Sequence, residues 1–269
     1  MTISGKTRLL AVVADPIDQV RTPELLNAYL TGLGIDAVVV PWHIRAEHFT
    51  AVWEGCRRLQ NLGGLLVTLP HTARAASLCD SLGDSARQVG AVSVVRRLPD
   101  GRMHGDMFDG QGFIGGLRRQ DIEPRGLNTL LVGAGSAGSA IALALAANGV
   151  GNLALANRNR QRAETLARRV ARVHPHCPVR VTDPDPSGFQ LVVNATSLGL
   201  HQHDPLPLAP ERLDANAIVA EVIMHPDTTP LLRAAEARGC LIHRGRHMLE
   251  EQRRLLVNFL ELSRGGAGY

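Results

Sequence analysis

Aromatic residues make up only 3% of this 269-residue chain, too few for the stacking surface on which proteins hold single-stranded nucleic acid. Lysine is rarer still. Lys6 is the only one, so the net charge of +4 rests on arginines interspersed with acids, the pattern of a solvated surface. No apolar run approaches the ~20 residues of a membrane span. The opening MTISGKTRLLAVVADP carries an apolar stretch of strand length that stops at Asp15-Pro16, unlike a secretory leader. These absences lead us to expect a cytoplasmic protein, monomer or homodimer, with neither nucleic acid nor membrane as partner. Cys56, Cys79, Cys177 and Cys240 stand far apart without a CxxC or Cys/His ligand spacing, so we expect reduced, mostly buried thiols and no metal site.

What is present is alternation. Strand-like RLLAVVA (8–14), AVVVPW (37–42) and GLLVTL (64–69) are separated by helical stretches from Thr22-Pro23 and near 45–60, and another helix follows Pro70. This rhythm predicts a mostly parallel sheet. It then breaks: AVSVVRR, the turn LPDG and RMHGD read as an antiparallel hairpin at a sheet edge, with Asp100-Gly101 supplying the turn chemistry. A second series starts at LNTLLV (127–132) and continues through an alanine-rich helix, NLALAN (152–157), VRVT (179–182), LVVNAT (191–196), AIVAEVI (217–223), CLIH and a last helix near 246–262.

Gly133-Ala134-Gly135-Ser136-Ala137-Gly138 matches GxGxxG between a buried strand and a helix. There, backbone N–H groups and the positive helix end face a pyrophosphate. An acid after the second strand would accept the ribose 2′-OH of NAD. This chain instead has Asn157-Arg158-Asn159 with Arg162 one turn on, and arginine suits a 2′-phosphate. The cofactor expected is NADP or NAD, with NADP favoured.

Taken together, GAGSAG, NRN, VVNATSLGL, TPLLRAAEARG and GRHMLEEQ in the second half, and ADPIDQVRTP, LLVTLPHT, GAVSV and GDMFDGQGF in the first, resemble the shikimate/quinate dehydrogenase family over essentially the whole chain and in the family's order. The fold class implied is α/β: an N-terminal α/β substrate domain (1–107, completed by 243–269) and a Rossmann-type NAD(P)-binding domain (108–242), with the site in the cleft between them. The resemblance also implies cofactor contacts from Thr196, Ser197, Gly245 and Met248, besides the glycine turn and the Asn157–Arg162 stretch.

Carried over residue by residue, the substrate site keeps some groups and loses others. The family's two carboxylate-holding serines fall on Val20 and Thr22. Its asparagine before the VT pair falls on Leu66, its threonine on Thr68, the asparagine of GAVNT on Ser93, and the NT before its aspartate on Met107 and Phe108. The aspartate is Asp109, the C-terminal glutamine is Gln252, and the tyrosine becomes Met224. The catalytic lysine falls on Thr72, and a threonine hydroxyl does not exchange protons near neutral pH unaided. Thr22, Thr68, Thr72, Ser93, Asp109 and Gln252 are therefore the expected substrate contacts, with Asp109 the surviving candidate base or, alternatively, a helix N-cap. His71 and His247 are secondary candidates for which packing is the plainer role. The expected function is interconversion of a secondary alcohol and a ketone on a small, cyclic hydroxy acid in an altered pocket. Two alternatives stand beside it: a non-catalytic dinucleotide-binding sensor, and a true shikimate or quinate dehydrogenase.

Overall fold

The structure is a computed structural model describing residues 2–262. Of these, residues 2–108 together with 253–262 form one compact unit; Asp109–Gln252 form the other.

The first unit runs β1 (Arg8–Ala14), α1 (Thr22–Leu33), β2 (Ala37–His43), a 3-10 turn (Ala46–His48), α2 (Phe49–Cys56), β3 (Leu62–Val67), α3 (Thr72–Leu78), β4 (Ser81–Leu82), α4 (Asp84–Val89), β5 (Val94–Arg97) and β6 (Met103–Asp106). Its sheet order is β2-β1-β3-β5-β6-β4. Pro23 in the first turn of α1 loses no backbone donor that the helix needs, and Gly34 ends the helix at φ +68°. Asn27 then fixes α1 on β2, since its amide both donates to Val39 O (2.9 Å) and accepts from Val39 N (2.8 Å). Leu10, Val12, Leu26, Leu30, Val39 and Leu66 form one core with Leu256, Val257 and Leu260 of the returning chain end.

The second unit runs α5 (Asp109–Arg119), β7 (Asn128–Val132), α6 (Ser136–Ala147), β8 (Asn152–Ala156), α7 (Arg160–Val173), β9 (Val179–Val181), β10 (Leu191–Asn194), β11 (Ile218–Glu221), α8 (Pro230–Ala237), β12 (Leu241–His243) and the first half of α9 (Gly245–Phe259). All its strands are parallel, in the order β12-β11-β10-β7-β8-β9.

Four expectations need correction. The β5–β6 hairpin is antiparallel, as expected, but it lies inside the sheet: β3 flanks one side and the two-residue β4 takes the edge, pairing parallel to β6. The helix near 45–60 is confined to Phe49–Cys56, and β3 runs Leu62–Val67, two residues earlier at each end than 64–69. The boundary expected ahead of His243 falls between Gln252 and Arg253, inside α9. His243 belongs to β12, which extends the second sheet from β11, and the first turns of α9 lie against α5: a Cβ on Gly112 would collide with Gln252 Cγ and approach Met248 O.

Candidate functional site

In each unit a topological switch point marks where a ligand fits, because connections leaving two adjacent strands to opposite sides open a crevice at their carboxyl ends. In the second unit these strands are β7 and β10. β7 leads into Gly133–Gly138, the turn that opens α6. Gly133 takes φ +118°, and a Cβ there would lie 2.7 Å from Ala195 O, in the loop after β10. A Cβ on Gly138 would collide with Gly133 O, so this glycine lets α6 close on the turn. Gly135 is different: its φ is −81°, and a Cβ would meet nothing within 4 Å. The open space above Gly135, at the positive end of α6, is the room a pyrophosphate needs. Ala134 N donates to Asn157 Oδ1 (3.0 Å), and Asn157 Nδ2 donates to Asn159 O (2.9 Å). Asn159 caps α7 by accepting from Arg162 N (3.2 Å). Both asparagines thus spend their side chains on the scaffold. The guanidinium groups of Arg158 and Arg162 are exposed and make no hydrogen bond or ion pair among the described residues.

Across the crevice, Thr196 Oγ1 donates to Asn194 Oδ1 (2.7 Å) and accepts from Leu198 N (3.1 Å); Ser197 is exposed. Asn194 is held in turn by Glu221 Oε1, which accepts from its Nδ2 at 2.8 Å. Glu221 is fully buried, and burial pushes its carboxyl pKa up against the pull of the Asn194 and Thr229 hydrogen bonds. Sequence reasoning passed over Glu221; an acid within the apolar run AIVAEVI was the available signal. Gly245 packs on the Val222–Ile223 backbone, and Met248 is buried one turn later.

Asp109 is the first residue of α5, and its Oδ1 accepts from Gln252 Nε2 at 3.0 Å. The structure therefore brings together the two second-unit residues expected to meet substrate. His247, by contrast, is nearly buried beside His243, with ring centroids 5.2 Å apart. His243 is fully buried against Phe113, neither of its ring nitrogens is hydrogen-bonded, and burial followed by the neighbouring His247 lowers its pKa to about 4. The folded protein thus keeps His243 neutral down to about pH 4, while the unfolded chain protonates it below about 6.5, so the unfolded state binds more protons between those limits. Stability attributable to this residue is therefore lost as the pH is lowered across that window, by an upper limit of about 3 kcal/mol at 1.36 kcal/mol per unit. The His243→Leu variant should lose less stability than wild type between pH 6.5 and 4.5 in chemical denaturation; parallel curves would refute this.

In the first unit the switch point lies between β1 and β3. Asp15 and Thr68 follow these strands, and Asp15 N donates to Leu69 O at 3.1 Å. Thr22 opens α1, and both it and Thr68 are half-buried. Ser93 Oγ accepts from Phe108 N at 3.2 Å, directly before Asp109 in the chain. Thr72 is the first residue of α3 and is 7% exposed; Leu66 is 5% exposed. His71 has a packing role: it is buried, its Nε2 is 2.7 Å from Ile44 O, and it stacks on Phe49 with centroids 4.5 Å apart.

Residues 12–95 match the shikimate dehydrogenase substrate binding domain, and residues 118–196 match the shikimate/quinate 5-dehydrogenase family. The shikimate dehydrogenase (NADP+) of Acidiphilium cryptum is 37% identical over 252 residues, covering 94% of this chain and 90% of that protein. The chain belongs to the shikimate dehydrogenase family. Solved structures agree with this membership. The Thermus thermophilus shikimate 5-dehydrogenase in complex with NADP(H) and shikimate has a TM-score of 0.85 at 28% identity, covering 94% of this chain and 93% of that one. The ligand-free 5-ketofructose reductase of Gluconobacter sp. strain CHM43 has the same TM-score at 27% identity, covering 97% and 96%. Members of the shikimate dehydrogenase family fold as a substrate-binding α/β domain with a Rossmann-type domain, the two folds described above. Among the described residues of this member, no helix is long and apolar enough to cross a membrane.

Proposed function

We propose that this chain is an NADP-preferring dehydrogenase that interconverts a secondary alcohol and a ketone on a small cyclic hydroxy acid carrying fewer hydroxyls than shikimate. The observation that carries the dehydrogenase reading is the open approach above Gly135 in a turn locked by the close backbone approaches at Gly133 and Gly138. Residues Gly133–Gly138 would hold the pyrophosphate, Thr196 and Ser197 would flank the nicotinamide side, and Arg158 and Arg162 are available to a 2′-phosphate. When bound, the oxidised dinucleotide supplies the hydride acceptor. Asp109, steadied by Gln252, accepts a hydrogen bond from a substrate hydroxyl, while Thr22, Thr68 and Ser93 offer further partners.

The substrate reading rests on Val20, Leu66 and Met224, which offer no hydrogen bond where the family offers hydroxyl and amide groups. Each buried substrate hydroxyl left unpaired costs on the order of 1–3 kcal/mol, so two or three together reduce kcat/KM by orders of magnitude. The second reading, shikimate itself, is favoured by the names of the curated relatives. The fold does not decide between them, since one neighbour is named for shikimate and another for 5-ketofructose. The test is to follow nicotinamide absorbance with shikimate, quinate and 3-hydroxycyclohexanecarboxylic acid, using NADP and NAD in turn. Higher kcat/KM on the simple hydroxy acid supports the altered pocket; higher kcat/KM on shikimate establishes the second reading.

Cofactor preference has its own measurement. Replacing Arg158 by alanine removes a charge-assisted hydrogen bond that NADP alone can make, worth about tenfold or more in affinity. Calorimetry on Arg158→Ala should show NADP weakened by at least that factor and NAD changed less than twofold. Equal losses would reduce Arg158 to a stacking or solvated residue.

A further inference from the structure

Oxidising an alcohol releases a proton as well as a hydride, and a hydroxy-acid dehydrogenase working near neutral pH needs a group that takes it. The hydroxyls of Thr22, Thr68, Thr72 and Ser93 titrate far too high, the Asp109 carboxylate serves as a hydrogen-bond acceptor held by Gln252 Nε2 at 3.0 Å, and His71 is buried on Ile44 O and Phe49. One histidine remains at the carboxyl edge of the first sheet. His43 ends β2, its side chain is 50% exposed, and its Nε2 lies 2.9 Å from Asp15 Oδ1. Asp15 itself stands at the switch point, bonded to Leu69 O. His43 pairs with Ala14, and Val13 pairs with Val67, so the strand alternation sets His43, Ala14 and Thr68 in phase with Val39, Val12 and Leu66. Ala14 is the small residue between them, with neighbouring strands about 5 Å apart. The same segment is tied to the start of α3, since Ile44 O, one residue on, is the partner of His71, which adjoins Thr72.

We propose that His43, oriented by Asp15, is the proton-exchanging residue of this enzyme. The inference rests on the dehydrogenase reading above. With Nε2 turned to Asp15, Nδ1 is the nitrogen left for substrate; it makes no hydrogen bond among the described residues. In the oxidation, the substrate O–H bond breaks and its proton passes to Nδ1. The freed oxygen electron pair would form the second C–O bond as the C–H pair departs as hydride, for which a bound oxidised dinucleotide would supply the acceptor. The imidazolium so formed is stabilised by Asp15 and returns its proton to water, and the reverse sequence protonates the ketone oxygen.

The test compares wild type, His43→Gln and Asp15→Asn as full-length chains, measuring kcat/KM against pH on the best hydroxy acid and NADPH binding by fluorescence. His43→Gln should lower kcat/KM by about 10²-fold or more and abolish the acidic limb of the profile. Asp15→Asn should lower kcat/KM as well, by less than His43→Gln, because the imidazolium formed in the step loses the carboxylate that orients it. Dinucleotide binding should stay within twofold in both, which also reports that each variant folds. An active wild type whose His43→Gln variant keeps its rate and its acidic limb overturns this inference alone. A wild type that binds NADPH but oxidises none of the hydroxy acids overturns the dehydrogenase reading and the inference with it.

Discussion

Gly135→Asp should leave the protein folded and reduce NADP affinity by about 10²-fold or more. The two effects separate because of where this glycine sits. Its extended backbone suits any residue, a Cβ there meets nothing, and it is the N-cap of α6, a position aspartate fills well. Unfolding stability should therefore stay within about 1 kcal/mol of wild type, since glycine and aspartate differ by only a few tenths at an N-cap. The new carboxylate would occupy the space where the pyrophosphate must approach and would spend the helix N-terminus on its own charge. Gly138→Ala is the contrast. Its methyl group would run into Gly133 O, so it should lose stability as well as affinity. Calorimetry with NADP and denaturant unfolding on both variants separate the outcomes. Unchanged affinity in Gly135→Asp would remove the glycine turn from the cofactor site.

Much of this architecture was legible because long apolar strands alternate with helices whose ends are written in the chain, such as Pro23 in the first turn of α1 with Gly34 at its close, and Asn159 capping α7. What escaped was short or depended on distant partners. β4 is two residues long and carries no periodicity; it exists because β6 offers it an open edge. The division inside α9 depends on glycines of α5 that admit Gln252 and Met248, contacts about 140 residues apart in sequence that no local pattern encodes. Of the expected substrate contacts, Asp109 and Gln252 were readable as a pair only through the family resemblance, and the structure joins them. His43 and Asp15 went unnoticed because nothing in a sequence links two residues at the ends of different strands. Strand order, Ala14 between β2 and β3, makes that pair.

Thr72→Lys should raise shikimate oxidation little, although a restored acid–base group is typically worth 10² to 10⁴-fold. Thr72 is buried at the first turn of α3, so a lysine there enters a desolvated position that favours its neutral form. Its introduction would leave Val20, buried Leu66 and Met224 unchanged, and those positions still deny shikimate its partners. If His43 already exchanges the proton, a second base also adds little to the chemical step. We therefore expect the kcat/KM for shikimate in Thr72→Lys to stay within about threefold of wild type, well under that 10²-fold floor. A larger gain should require Val20→Ser and Leu66→Asn in the same chain. Leu66→Asn places an amide in a site that is 5% exposed, so unless substrate satisfies that amide, the combined variant should lose on the order of 1–3 kcal/mol of stability. Saturating shikimate should then recover part of that loss in thermal unfolding, a ligand effect that wild type should not display to the same degree. A 10²-fold gain in the single variant would instead mean that the pocket already fits shikimate and that the chain is a shikimate dehydrogenase lacking one residue.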